Sequence, residues 1–380
     1  MSFRRAARAA FAARSRAYWL VFITLVLAGL STSCGSSSHS SSASHTGYVT
    51  FLQKGAVGLL RLNNSTGVVS LGAQTPSVVG TTPDALALAP GKKFLYVGNS
   101  GPAGNSISIF SIAGDGTLTQ NGTATDIKAS PRALAIDASG KYLVVTTNFV
   151  GSNLLVFSLD AASGAITPLN SYVANTSPDY LTISPTSNYV YVSNSDANLI
   201  TAFSLESATG NLSPVPGSPF STGQGVAGSA TDPNSKYLYA ANHADNTVSA
   251  YTIDSGTGRL TPILGSPYPL GIGTGPRAIA TDTTGTFLYV ANQGSNNVLA
   301  FTVTSGTGQL TQINSGTAYS AGTSPVSILA EPAGKFLYVL NQGSTNISGY
   351  SYDSTTGKLT AITGSPFSVG AAPGNMTIAH

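Results

Sequence analysis

The chain of 380 residues contains one cysteine and one tryptophan, and only 8% of its residues are charged. The lone cysteine, Cys34, excludes an internal disulfide and a metal site of paired cysteines. No C-x-x-C-H run offers attachment for haem, no glycine-rich loop between strand and helix cradles phosphate, and no serine stands in a G-x-S-x-G elbow. Acidic residues are missing from the start: none precedes Asp84, whereas Arg4, Arg5, Arg8, Arg14 and Arg16 crowd the first sixteen positions. The formal charge of +3 is therefore a property of the N-terminus. Of seventeen basic residues, twelve remain once those five are set aside, against fourteen acids, a net of −2. A faintly acidic body has no electrostatic footprint for nucleic acid.

The arginine-rich start runs into the apolar stretch Tyr18–Leu30 and then the small residues "STSC". Thirteen apolar residues are too few to cross a hydrocarbon core of ~30 Å as a helix, and this order of charge, apolar run and small residues is that of a secretory signal. The leader resembles that of bacterial lipoproteins, in which the cysteine is acylated and becomes the first residue of the mature chain. The resemblance implies a signal peptide over 1–33, lipidation of Cys34, and a cell-envelope lipoprotein held to a membrane. One departure is Ser31 where that box usually has leucine, with Leu30 one step earlier. The serine-rich segment up to Gly47 cannot bury apolar surface and is expected to be a tether over 34–47, with His39 and His45 as solvated spacers.

What is abundant is glycine, serine, threonine, valine and tyrosine, a mixture for short strands and tight turns. From Pro83 a unit recurs at Pro131, Pro178, Val226, Pro276, Pro325 and Pro373, at intervals of 47 to 50 residues. Such regularity is the signature of one supersecondary unit repeated, and it overrides the length prior of two domains. In the unit opening at Pro276, "RAIATD", "FLYVAN", "NNVLAFTV" and "QLTQI" are apolar or alternating runs bounded by turn residues. They predict four antiparallel strands in a meander.

The first run of each unit favours alanine, as at Ala85, Ala87, Ala133, Ala135, Ala278 and Ala280, while Tyr96, Tyr191, Tyr289 and Tyr338 stand on the second. In a radial array the strand nearest the axis has the least room, so the pattern predicts an all-β propeller with the alanine strands innermost. Six units are complete. The segment from Tyr48 supplies second, third and fourth strands without a first, and the tail from Pro373 supplies a first strand alone. The expected architecture is a seven-bladed β-propeller over 48–380, with residues 373–380 completing blade 1 and so leaving no open edge.

The phrases "YVGN", "YVSN", "YAAN", "YVAN" and "YVLN", at Tyr96, Tyr191, Tyr239, Tyr289 and Tyr338, resemble the signature of YVTN-repeat propellers. The longer unit from Gly275 resembles the β-propeller lactonase family, to which the propeller type of 6-phosphogluconolactonase belongs. That family carries a phrase like G-P-R-H near the inner strand and an acid after the YVxN asparagine. Here Arg132 and Arg277 match the arginine, but alanine follows each, and Ser100, Ser195, His243, Gln293 and Gln342 occupy the acid's place. The sole tryptophan, Trp19, lies in the leader, a poor match to propellers that surround a quinone.

The residues after the opening prolines form an expected ring at one channel mouth: Asp84, Arg132, Asp179, Ala227, Arg277, Val326 and Gly374. Two arginines and two carboxylates there suit a sugar acid or lactone, with arginine polarising a carbonyl and Arg132, Arg277 and His243 as candidate catalytic groups. Ion pairing between blades is the structural alternative. Asp137, Asp232 and Asp282 are expected to cap turns, and no pattern implies a cofactor or a metal. With the acid/base residues unmatched, the sequence favours a membrane-tethered binding or scaffold propeller, with a sugar-lactone hydrolase as the alternative. A small-molecule or protein ligand at the mouth is expected in either case.

Overall fold

The computed structural model describes residues 44–75, 82–101 and 104–379. The expected signal peptide, Cys34 and most of the expected tether lie outside these residues. Within them the chain is built of strands, with one 3-10 turn at Ile313–Gly316. Seven antiparallel sheets follow one another along the sequence. Blades 2 to 7 open with Thr82–Leu88, Pro131–Ile136, Pro178–Ile183, Val226–Thr231, Pro276–Thr281 and Pro325–Ala330. Each opening strand abuts those of its two neighbouring blades, and the series closes into a ring through Pro373–Ala379.

Blade 1 combines the first and last strands of the described residues, in the order Val69–Gln74, Ala56–Asn63, Ser44–Phe51, Pro373–Ala379. Its second strand begins earlier than the sequence suggested. Ser44, His45, Thr46 and Gly47 are not tether: they pair with Asn63, Leu62, Arg61 and Leu60, because the antiparallel ladder continues as long as a partner strand is present, whatever the side chains. His45 thereby becomes a blade residue, and its Nδ1 lies 2.5 Å from Glu331 Oε1 of blade 7. Blades 2, 4, 5, 6 and 7 add to their four strands a two-residue strand that pairs with the third. Blades 1 and 3 remain four-stranded.

The core lies in the seams between blades, where seven apolar clusters fill seven interfaces. Tyrosines of the second strands span these seams. Tyr191 and Tyr239 donate their hydroxyls to the carbonyls of Gly258 and Gly308 in the next blade, both at 2.9 Å. Tyr48, Tyr96, Tyr289 and Tyr338 do the same to Gly116, Gly164, Gly357 and Gly67. A buried hydroxyl without a partner would be costly, so the glycine carbonyl is what permits a tyrosine in this core. The last of these bonds, from Tyr338 to Gly67, joins blade 7 to blade 1.

Candidate functional site

The ring positions acquire their direction from a break in pairing. In blade 6 Pro276 pairs with Asn292 and Ala278 with Ala291, so Arg277 has no partner opposite it. Asp84, Arg132, Asp179 and Val326 are skipped in the same way. In blade 5 the irregularity takes in Ala227 and Gly228, and in blade 1 Gly374 and Asn375. Each is a β-bulge, which bends the strand and re-aims a side chain out of the ladder. Irregularities at the same place in all seven blades thus bring Asp84, Arg132, Asp179, Arg277 and Val326 to one mouth of the channel.

They surround a channel-mouth pocket of about 390 Å3. Asp84, Arg132, Asp179 and Arg277 all line it, together with Val326 and Gly374, while Gly228 represents blade 5 in place of Ala227. The structure therefore gathers the four charged residues expected from the sequence. It does not bring His243 to them. That imidazole stands outside the pocket lining and bridges the seam instead, with Nδ1 3.3 Å from the Pro276 carbonyl of blade 6. The equivalent glutamines, Gln293 and Gln342, reach the next blade at Ser324 and Pro373 while also lining the pocket. His243 is accordingly a seam residue, because its position points along the blade boundary and no bulge redirects it.

Electrostatics set the four charges apart. The Arg132 Nε lies 3.8 Å from Asp179 Oδ1, with both groups partly solvated, so this inter-blade pair is worth about 0–1 kcal/mol. Asp179 also accepts a hydrogen bond from the Ser195 hydroxyl. Asp84 is different. Burial pushes its carboxyl above the usual carboxylate range, and Asp179 adds to this, while Arg132 and Arg277 pull the other way. Arg277 in turn stacks over the ring of Tyr180, 5.2 Å from its centroid.

Tyr180 is a pocket residue the sequence reading passed over. It occupies the position held by Ala85, Ala133, Ala278 and Ser327 in other blades, so a large side chain enters the channel in blade 4 alone among these. Burial raises its hydroxyl pKa, moderated by Arg277. The visible signal was "SPDYLTI", where tyrosine interrupts the small-residue pattern of the inner strand.

The remaining markers are structural. Asp137 Oδ1 accepts the N–H groups of Lys141 and Tyr142 at 2.8 and 2.7 Å, and Asp232 and Asp282 cap their turns in the same way. The YVxN asparagines are buried and donate to the third strand, as Asn242 does to Thr247 Oγ1 at 2.8 Å and Ser249 Oγ at 2.9 Å. Among the described residues no group of three or more histidine, cysteine or acidic side chains is placed to hold a metal.

Comparison with known proteins agrees with this architecture. The sequence profile described as lactonase, 7-bladed beta-propeller matches residues 48–182, 174–268, 211–320 and 275–373. A 6-phosphogluconolactonase from Formosa agariphila is 39% identical over 83 residues, which is 22% of this chain and 23% of that protein. The match thus spans about a quarter of that relative's length. Among solved structures, a candidate 6-phosphogluconolactonase from Bacteroides uniformis superposes with a TM-score of 0.76 at 18% identity, over 88% of this chain and 99% of that one. The periplasmic gluconolactonase of Pseudomonas aeruginosa gives 0.74 at 20% identity, over 89% and 99%.

Proposed function

Because the chain belongs to the seven-bladed β-propeller lactonase family, we propose that it hydrolyses a lactone at the channel mouth, with Arg132, Arg277 and Asp84 as the working groups. One observation carries this reading: two arginines, from blades 3 and 6, line one pocket together with the half-buried carboxylate of Asp84. It gives the enzyme precedence over the binding or scaffold module that the sequence favoured. The 6-phosphogluconolactonase and gluconolactonase among its relatives support the same reaction class.

The chemistry follows from charge. Asp84 takes a proton from water as the water oxygen bonds to the lactone carbonyl carbon, and the carbonyl oxygen becomes an oxyanion that Arg277 and Arg132 stabilise. The ring C–O bond then breaks, and the departing alkoxide recovers the proton from Asp84. The product is a hydroxy acid, whose carboxyl group releases its proton to solvent and, as carboxylate, stays paired with arginine until it leaves. Tyr180 holds the Arg277 plane over its ring and so limits where that guanidinium can point. Export is part of the proposal. The arginine-rich start and short apolar run support secretion, the P. aeruginosa neighbour is a periplasmic enzyme, and acylation of Cys34 would hold the propeller at a membrane.

The test is turnover of a panel of lactones, sugar-derived and simple, each measured against its spontaneous rate. Arg277→Ala and Arg132→Ala are expected to lower kcat/KM about 100-fold while the melting temperature holds. No turnover above the spontaneous rate on any lactone overturns the enzyme reading.

A further inference from the structure

The seam between blades 3 and 4 departs from the other six. Val144 stands where the second strand of blades 1, 2, 4, 5, 6 and 7 places its bridging tyrosine, so no hydroxyl reaches the Gly210 carbonyl. Thr147 replaces the asparagine that ends that strand in blades 4, 5, 6 and 7 and stands next to last in blade 2. The connection that follows is longer than in blade 4, spanning 148–153 against 195–198, and it presents Phe149 (52% exposed) and Val150 (93%) to solvent. The outer strand Ile166–Tyr172 is a single strand of seven residues with a register shift at Leu169, and the chain leaves it through Val173, which is 62% exposed.

These departures coincide with a cleft of about 760 Å3 whose walls come from blades 3 and 4. Phe149, Val150 and Val173 stand at its rim, and Phe203, Pro214 and Pro219 belong to its blade 4 side. Arg132 and Asp179 line both this cleft and the channel-mouth pocket, so the two spaces meet at the loose ion pair. A polar pocket with arginines thus adjoins, across that pair, a larger space whose lining includes Phe149, Val150, Val173, Phe203 and two prolines. The combined shape suits a ligand with a polar head and an apolar arm, and each space lies in the size range of small-molecule sites.

We propose that the cleft between blades 3 and 4 holds the apolar substituent of the ligand whose carbonyl or carboxylate head sits beside Arg132. This rests on the lactonase reading and sharpens it. The preferred substrate class becomes a lactone carrying an alkyl or aryl arm, in preference to a fully hydroxylated sugar lactone. Polar side chains such as Asn153, Asn175 and Thr201 also line the cleft, but hydroxyl groups on the side of the arm that faces Phe149, Val173 and the prolines would lose water without recovering hydrogen bonds. Methylene groups gain by the same transfer.

The experiment uses the full propeller and two readouts. In the first, kcat/KM is measured for γ-butyrolactone and its 4-alkyl derivatives of increasing length, with gluconolactone for comparison. Each added methylene is expected to raise kcat/KM about four-fold until the cleft is full. Phe149→Asp and Val173→Asp, both at exposed positions, are expected to flatten that dependence with no change in melting temperature. The second readout is calorimetric binding of straight-chain carboxylates from acetate to decanoate, whose affinity is expected to climb with length and to lose that climb in both variants. A flat chain-length dependence alongside gluconolactone turnover overturns the cleft and leaves the lactonase standing. Affinity that climbs with length, without turnover of any lactone, keeps the cleft and removes the lactonase. Neither turnover nor length-dependent binding removes both.

Discussion

Asp84 shows what one position in a ring can do that its equivalents cannot. Its carboxyl is raised by burial, with two arginines opposing the rise. A carboxyl whose folded pKa exceeds its unfolded value contributes most to stability below the ordinary carboxylate range, and that contribution is lost as the pH climbs through the folded value. Asp84→Asn is therefore expected to melt higher than the parent near neutral pH, with the difference shrinking below about pH 4. Thermal melts across that range check it, and a variant less stable at neutral pH would show that the arginines outweigh desolvation. The same variant is expected to lose turnover, separating stability from activity. His243 makes the opposite case. It looked like a base by type, but its neighbours in space are the Pro276 carbonyl and the seam. Residue type was legible in the sequence, whereas direction was not, because a side chain's aim depends on the bulge beneath it.

At the scale of the element, the hairpin joining third and fourth strands shows how locally the blades are specified. In blade 5 Asp254 Oδ1 accepts the N–H groups of Gly256 and Thr257, and these bonds, with that from the Thr257 hydroxyl, hold its carboxyl below the usual range. Gly258 follows with φ +75°, its carbonyl taking the Tyr191 hydroxyl of blade 4. A Cβ there would press into the ring of Tyr189. Gly258→Ala is expected to cost about 2 kcal/mol or more, from left-handed backbone and lost ring contact together. Chemical denaturation measures this, and a cost below about 0.5 kcal/mol would mean that the ring moves freely. The turn chemistry "DSGTG" was readable as a hairpin. Its second duty, as a socket for the preceding blade, required the neighbouring sheet to be in place.

The propeller is a ring closed where its first described strand meets its last. Pro373–Ala379 pairs with Ser44–Phe51, placing Met376 opposite Val49, and Met376 and Ala379 are buried in the seams on either side. His45 of blade 1 meets Glu331 of blade 7 at the same closure, where glutamate replaces the aspartate of Asp137, Asp232 and Asp282 and so has the added length to reach across. Removing residues 373–380 exposes a strand edge and opens two seams at once. The truncated protein is expected to melt more than about 10 °C lower and to associate through the free edge, which calorimetry and light scattering would show. An unchanged melting temperature would mean that closure contributes nothing.

The chain's own order of residues determined the seven blades, the innermost strands and the borrowed strand of blade 1. These follow from a period near 48 residues and from the volume available near an axis, both of which are local and repetitive. The four charges at the channel mouth were likewise readable, since they occupy one place in the repeat. The bulges that aim them, the start of blade 1 at Ser44, the entry of Tyr180 and the cleft between blades 3 and 4 were decided only by the folded structure. Each depends on which residue lies opposite in another strand or blade, and a register shift of one position, invisible along the chain, turns a side chain from the sheet toward the axis.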